Sequence, residues 1–311
     1  MNILVTAIGS FSADCVIKTL KEKGHKVIGC DIYPSEWHAI SKECDNVYKV
    51  PFATKEDEYI YSLINICLKE EIEYLIPLTD LEIDILNNHR DAFSKKNVTL
   101  CMQSEKCLNI ARDKYAMFQL FFNDKNINVP FSISSEKLSS NFPIPAIAKP
   151  INGRSSEGLK IISNTKDLNS LIGINKYIVQ ECISGPIYTI DYVRDKKGND
   201  FSIPREELLR TKNGAGTTIK ITPNKQLENA ASYIGNLLDV VGCINLEFIS
   251  NDNKYYLIDI NPRFSAGIAF SKFVGFDMVT SHLNCFLNKN ILNPVNFNEQ
   301  IICKRYYEEL V

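Results

Sequence analysis

The chain has 311 residues, of which 45% are hydrophobic and 23% charged, with a formal net charge of −2. That length supports two or three compact units, and the near-neutral balance gives no electrostatic case for a nucleic acid or an anionic membrane as partner. No apolar run reaches the length of a membrane span. The ten cysteines are scattered without a Cys-x-x-Cys pair, which favours buried free thiols over a disulfide frame or a zinc site. The start, Met1-Asn2-Ile3-Leu4-Val5-Thr6, lacks the basic head and cleavage site of a signal peptide, so a cytoplasmic enzyme is the expectation.

In chain order, residues 3–6 predict a strand, 9–12 a turn, and 13–23 a helix with Ala13, Val16, Ile17 and Leu20 on one face and Gly24 closing it. Strands over 26–31 and 47–50, a helix over 55–70, a strand over 74–78, a helix over 81–93 and a strand over 98–101 continue the alternation. Repeated βα units of this kind predict a doubly wound parallel sheet. The first loop, Ala7-Ile8-Gly9-Ser10-Phe11-Ser12, holds one glycine, which excludes a dinucleotide fingerprint. It is either a tight turn or a helix N-terminus where Ser10 greets an anionic substrate. Ligands of such sheets sit at the carboxyl ends of strands, which adds Asp80 and Glu82 to the substrate candidates.

Beyond residue 103 the pattern changes. A helix over 113–123 precedes a break at Asn128-Val129-Pro130. Strands follow over 144–149, 159–162 and 177–182, with a loop over 152–158 and a helix over 165–172. A strand over 187–194, an irregular stretch over 204–218, a helix over 225–240, a hairpin (243–249 and 254–260) and a helix over 277–287 complete the chain. Helices and antiparallel strands in this order predict α+β layers.

Three constellations carry chemistry. Asn251-Asp252-Asn253 is a hairpin-turn signal, and folding about it brings Glu247 opposite residue 258 or 259. Asp259 and Asn261 share a strand face, so two carboxylates and an amide converge beside Arg263. Hard oxygen donors of that number suit Mg²⁺ held jointly with phosphates, and an arginine suits a transferring phosphoryl group; the plain alternative is a surface hairpin. The second constellation is Lys149 at a strand end before Pro150-Ile151-Asn152-Gly153-Arg154-Ser155-Ser156-Glu157-Gly158. Small residues there let backbone N–H groups approach phosphate oxygens, although a hairpin connection fits the same letters. Lys114 at a helix start and the strand 177–183, whose end offers backbone groups to a planar base, are the third.

These pieces, in this order, resemble the ATP-grasp superfamily, specifically its carbamoyl-phosphate-synthase-like carboxylate–amine ligases. The resemblance implies a pre-ATP-grasp α/β domain over 1–105, a small ATP-grasp subdomain with a linker helix over 106–184, and a C-terminal subdomain with a metal site over 185–311. It implies that Lys114 and Lys149 hold ATP phosphates and that Gly153, Arg154, Ser155, Ser156 and Gly158 belong to a phosphate flap. Glu181, Cys182 and Ile183 would form the hinge by adenine. Glu247, Asp259 and Asn261 would hold Mg²⁺ (or Mn²⁺), with Glu247 and Asp259 also meeting the nucleotide. Arg263 and Lys149 take the catalytic roles, Arg263 by steadying the transferred phosphoryl group. Arg205 and Arg210 resemble substrate-side arginines able to grip a carboxylate, with Arg263 beside them. Where relatives carry an acidic residue for the ribose hydroxyls, this chain has Ile187.

The implied activity is ATP-dependent conversion of a small-molecule carboxylate to an acyl phosphate, then capture by an amine, with release of ADP and phosphate. The rivals are a phosphotransferase that stops after phosphorylation and a non-catalytic nucleotide-binding subunit. Expected partners are a carboxylate and an amine, with no nucleic acid and no membrane, and relatives of this architecture are often homodimers.

Overall fold

The computed structural model of the protein describes residues 1–153, 157–212 and 214–304. The first sheet contains β1 (Asn2–Val5), β2 (Lys26–Asp31), β3 (Asn46–Lys49), β4 (Tyr74–Ile76) and β5 (Thr99–Leu100), in the order β3-β2-β1-β4-β5 and parallel throughout. Helices α1 (Ala13–Glu22), α2 (Glu56–Lys69), α3 (Asp80–Asn88) and α4 (Arg90–Ser94) complete this unit. Residues of β1 alternate between two cores. Ile3 and Val5 join Val16, Ile17 and Leu20 of α1, whereas Leu4 joins Ile60, Leu63 and Cys67 of α2. Apolar side chains on both strand faces are what a helix-covered parallel sheet requires.

Two short helices, α5 (Glu105–Ala111) and α6 (Lys114–Phe121), lead to a second sheet of β6 (Ser132–Ser134), β7 (Ala146–Pro150), β8 (Lys160–Ile162) and β9 (Tyr177–Glu181). Its order is β6-β9-β7-β8, and α7 (Thr165–Asn169) packs Leu168 against Ala146, Ala148 and Val179.

The third sheet holds β10 (Ile187–Arg194), β11 (Asp200–Arg210), β12 (Gly216–Ile221), β13 (Gly242–Asn251), β14 (Lys254–Asn261) and β15 (Gln300–Cys303). The order β14-β13-β10-β11-β12-β15 is antiparallel throughout. One face (Ile190, Tyr192, Ile244, Leu246, Phe248, Ile260) is covered by Leu227, Ala231 and Ile234 of α8 (Lys225–Leu237). The opposite face carries a row of polar residues across four strands, because Asp259 pairs Glu247, Glu247 pairs Thr189, and Thr189 pairs Arg205. Helices α9 (Phe270–Phe273) and α10 (Met278–Phe286) close the unit against the first sheet's core.

Two residues stitch the first unit to β13. Gln103 donates to the carbonyls of Val241 and Cys243 and accepts from Val241 N, while His282 Nδ1 accepts from Cys243 N and its Nε2 faces Cys101 O at 3.2 Å.

The structure departs from expectation in several elements, helices α5 and α9 among them. Residues 204–218, read as irregular, belong mainly to β11 and β12, since Pro204 and the charged run Arg205-Glu206-Glu207 mask the strand alternation. The single helix expected over 81–93 is two, α3 and α4, separated at His89. Strands β6 and β15 had no sequence signal. All ten cysteines are free. Among the described residues no helix is long and apolar enough to cross a membrane.

Candidate active site

The β13–β14 hairpin holds its polar face in place through an irregularity. Asn251 pairs with Lys254 and Phe248 with Leu257, but the register then shifts so that Glu247 pairs with Asp259. Ile258 is the extra residue. Had the register continued without the shift, Glu247 would oppose Ile258, and Asp259 would point into the core on the other face. The bulge therefore puts Glu247, Asp259 and Asn261 on one side. Asn261 lies opposite Asn245 and donates to its Oδ1 at 3.1 Å, which leaves the Asn261 carbonyl oxygen facing Arg263 Nη2 at 3.4 Å.

Each carboxylate is matched with a cation. Lys114 Nζ lies 2.6 Å from Asp259 Oδ1, and Arg210 Nη2 lies 3.0 Å from Glu247 Oε2. Lys114 is the first residue of α6, whose cap, Asp113, accepts from the backbone N–H groups of Tyr115 and Ala116 at 2.8 Å. Lys149 Nζ donates to the carbonyl of Ile258 at 3.1 Å, so the bulged residue anchors the second lysine. Burial, reinforced by neighbouring Lys114 and partly offset by Asp259 and Glu247, pulls the Lys149 ammonium down to about 8.

Glu247 Oε1 and Asp259 Oδ2 accept no hydrogen bond among the described residues, where no three His, Cys, Asp or Glu side chains converge as a metal cluster. Two free carboxylate oxygens with the Asn261 amide form a sparse, hard donor set. That fits a Mg²⁺ whose remaining ligands come from phosphate and water, and it does not fit a cation caged by protein alone.

Two cavities meet at these residues. A slot of about 240 Å³ between the second and third sheets is walled by Ile147, Ile183, Ile187 and Ile249, with Lys114 and Lys149 along it. A cleft of about 680 Å³ runs between the third sheet and the carboxyl ends of β1, β2 and β4. Arg210, Glu247 and Asp259 line both. Glu181 also lines the slot, but its Oε1 accepts from Phe131 N at 2.8 Å, which ties β9 to β6. Cys182 follows β9, half-buried. Gly153 and Gly158 flank Pro150; Gly158 has φ +73°, and a Cβ there would come within 2.9 Å of the proline ring. Arg154, Ser155 and Ser156 lie outside the described residues.

On the cleft's far wall, Ser10 lines the opening. Asp80, the first residue of α3, is 2% exposed and grips Arg263 through a double contact, Nε–Oδ1 at 2.9 Å and Nη2–Oδ2 at 2.8 Å. Burial alone would push the Asp80 carboxyl up; Arg263, then Arg112 and Lys114, overcome this and hold it below the ordinary carboxylate range. Two substrate candidates are corrected. Glu82 is spent internally: its Oε2 accepts from Thr79 N and Oγ1 in a capping box, and its Oε1 from Tyr59 Oη. Arg205 is 2% exposed and all three guanidinium nitrogens are engaged, with Asp191, Glu207 and Ser265, so no fork remains for a substrate carboxylate. Sequence reasoning missed Arg112, which forks Asp84 at 2.8 and 2.9 Å, and Thr189, Asn245 and Glu207 of the polar face. Only strand register reveals the last three. The Glu82 cap, by contrast, was readable in Thr79-x-x-Glu82.

A model of the ATP-grasp domain matches residues 111–267, half of the chain, and one of the PylC-like N-terminal domain matches residues 3–101. The chain belongs to the ATP-grasp family. This ATP-grasp chain is 30% identical to the carbamoyl phosphate synthase large chain of Agathobacter rectalis over 164 residues, 47% of its own length and 15% of the relative's. It is 22% identical to the arginine-specific large chain of Bacillus subtilis over 95% of its length and 30% of that protein. It therefore spans less than a third of the curated relatives it matches. Among solved structures, the biotin carboxylase domain of the Hydrogenobacter thermophilus 2-oxoglutarate carboxylase superposes with a TM-score of 0.80 at 17% identity, covering 97% of this chain and 74% of that one. The N5-carboxyaminoimidazole ribonucleotide synthetase of Thermotoga maritima gives 0.71 at 17% identity, covering 96% and 79%. At those identities the likeness is one of fold.

Proposed function

We propose that this ATP-grasp protein is an ATP-dependent ligase that activates a small-molecule carboxylate as an acyl phosphate and joins it to an amine, releasing ADP and phosphate. The observation that carries this reading is that the slot and the cleft share Arg210, Glu247 and Asp259 as a common border. A nucleotide in the slot would point its γ-phosphate into the cleft, where a second substrate has room. The adenine would lie among Ile147, Ile183, Ile187 and Ile249, near the backbone of residues 181–183.

Phosphoryl transfer asks a protein for positioning and charge neutralisation more than for covalent chemistry. Lys114 and Lys149 would exchange Asp259 and the Ile258 carbonyl for phosphate oxygens, which frees Asp259 to join Glu247 and Asn261 around the cation. Glu247, Asp259 and Asn261 would hold Mg²⁺ there, which would supply positive charge against the phosphates. Arg263, held in plane by Asp80, would turn its Nη1 from the Phe264 carbonyl, 3.2 Å away, to the transferred group. The dimeric state of the Hydrogenobacter thermophilus biotin carboxylase domain supports a homodimer here.

A screen for ADP release over a grid of carboxylates and amines tests the proposal. The expected result is turnover that requires one member of each class. Turnover with a single substrate and a stable phosphorylated product would replace the ligase by a phosphotransferase.

A further inference from the structure

Beside Arg205 the cleft wall holds a carboxylate oxygen with no partner. The Glu207 side chain is 2% exposed; its Oε1 accepts from Arg205 Nε at 3.2 Å, whereas Oε2 is fully buried and makes no hydrogen bond among the described residues. A buried, unsatisfied carboxylate oxygen is costly, and native structures retain one where something else completes it. Neither nearby cation completes that oxygen. Asp191 and Glu207 share the single guanidinium of Arg205, and Asp191 Oδ1 is also unpartnered. The nearby Lys304 ammonium adds positive charge beside both carboxylates but donates to the Ala266 carbonyl at 2.8 Å and stands over the Phe270 ring, with no hydrogen bond to either of them among the described residues.

Position makes this an internal seat of the cleft. Glu207 and Gly216 both line it, and a Cβ on Gly216 would lie 1.9 Å from Glu207 Oε2, so the carboxylate occupies the space a side chain at 216 would fill. Register irregularities between Glu207 and Arg210 re-aim this stretch of β11. Glu207 stands on the face that carries Glu247, two strands away, which is about 10 Å laterally. That is too far to touch the metal or the phosphates and suits a group on the second substrate. A carboxylate only accepts, so the missing partner must be a donor.

We propose that Glu207 Oε2 is the seat of a non-reacting ammonium on the second substrate: the amine partner carries, besides the neutral nitrogen that attacks the acyl carbon and expels phosphate, a cationic ammonium held beside Gly216. This rests on the ligase reading, and the test separates the two. With the carboxylate found by the ADP-release screen, wild type and Glu207→Gln are assayed with the amine and, separately, with hydroxylamine, which is uncharged near neutral pH and traps an acyl phosphate as hydroxamate. Loss of a charge-assisted hydrogen bond should raise the amine KM about tenfold or more with the ATP KM unchanged, and lower the ratio of amine product to hydroxamate by a similar factor. Gly216→Ala, which crowds Oε2, should shift that ratio in the same direction. An unchanged amine KM in both variants, or an equal loss on amine, ATP and hydroxamate, overturns the ammonium seat. Wild type yielding no hydroxamate from any carboxylate overturns the ligase reading and the seat with it.

Discussion

Arg263 and Asp80 are 183 residues apart in the chain and meet as a planar fork at 2.8 and 2.9 Å. One comes from the loop just after β14, the other from the first turn of α3. This pair joins the parallel-sheet unit to the polar face of the third sheet, with Arg112 standing behind it at 3.9 Å from Asp80. Removing one member of a buried pair strands the other, so Asp80→Ala should cost roughly 3 kcal/mol, read by urea denaturation. It should also lower kcat for ADP release more than it raises the ATP KM, because Arg263 loses its orientation.

The double variant Glu247→Gln, Asp259→Asn keeps shape and hydrogen-bonding capacity but removes both charges. ADP formation should fall by about a hundredfold or more with saturating Mg²⁺. Circular dichroism should stay close to wild type. Full ADP production would sink the metal assignment.

Lys149 gives a proton signature. Its folded value of about 8 lies below the ordinary 10.5, so between those values the unfolded chain holds a proton that the folded one lacks. Stability of the free protein should therefore rise with pH across that window. Bound phosphate would restore the charged form. Calorimetric titration of MgATP in buffers of different ionisation enthalpy should show proton uptake nearing one per site at about pH 9 and fading towards neutrality. Lys149→Arg should abolish the uptake.

His282 works in the opposite range. Burial pushes it from 6.5 to about 4 despite its contact with Cys101 O. The unfolded chain takes up the proton first as pH falls, so stability is full above about 6.5 and is lost towards pH 4, by roughly 3 kcal/mol. Thermal melts between those limits should show the decline. His282→Gln should flatten it from a lower starting point.

Much of this arrangement was legible in the letters because it is local. The βα alternation of the first hundred residues follows from apolar periodicity, and the turn signal brings Glu247 opposite residue 258 or 259, the choice between them being made by the bulge. What escaped was decided by pairing. Arg205 reads as a free arginine until β10 supplies Asp191 beneath it, and residues 204–218 read as loop because their side chains are polar on the face that becomes a cleft. The partner of Asp80 lies on another unit, and no local rule reaches that far.

The single surplus residue at Ile258 has a practical corollary for engineering and for comparing related chains. Lengthening or trimming the outer tip of that hairpin in matched pairs leaves the acidic pair facing each other, since the phase is reset inward of the tip. Deleting Ile258 alone would regularise the pairing: Asp259 would follow Leu257 directly and still face Glu247, but the carbonyl that anchors Lys149 would be lost. Residue counts between the two acids can therefore differ by this one residue in a homologous sequence while both acids stay on the shared face.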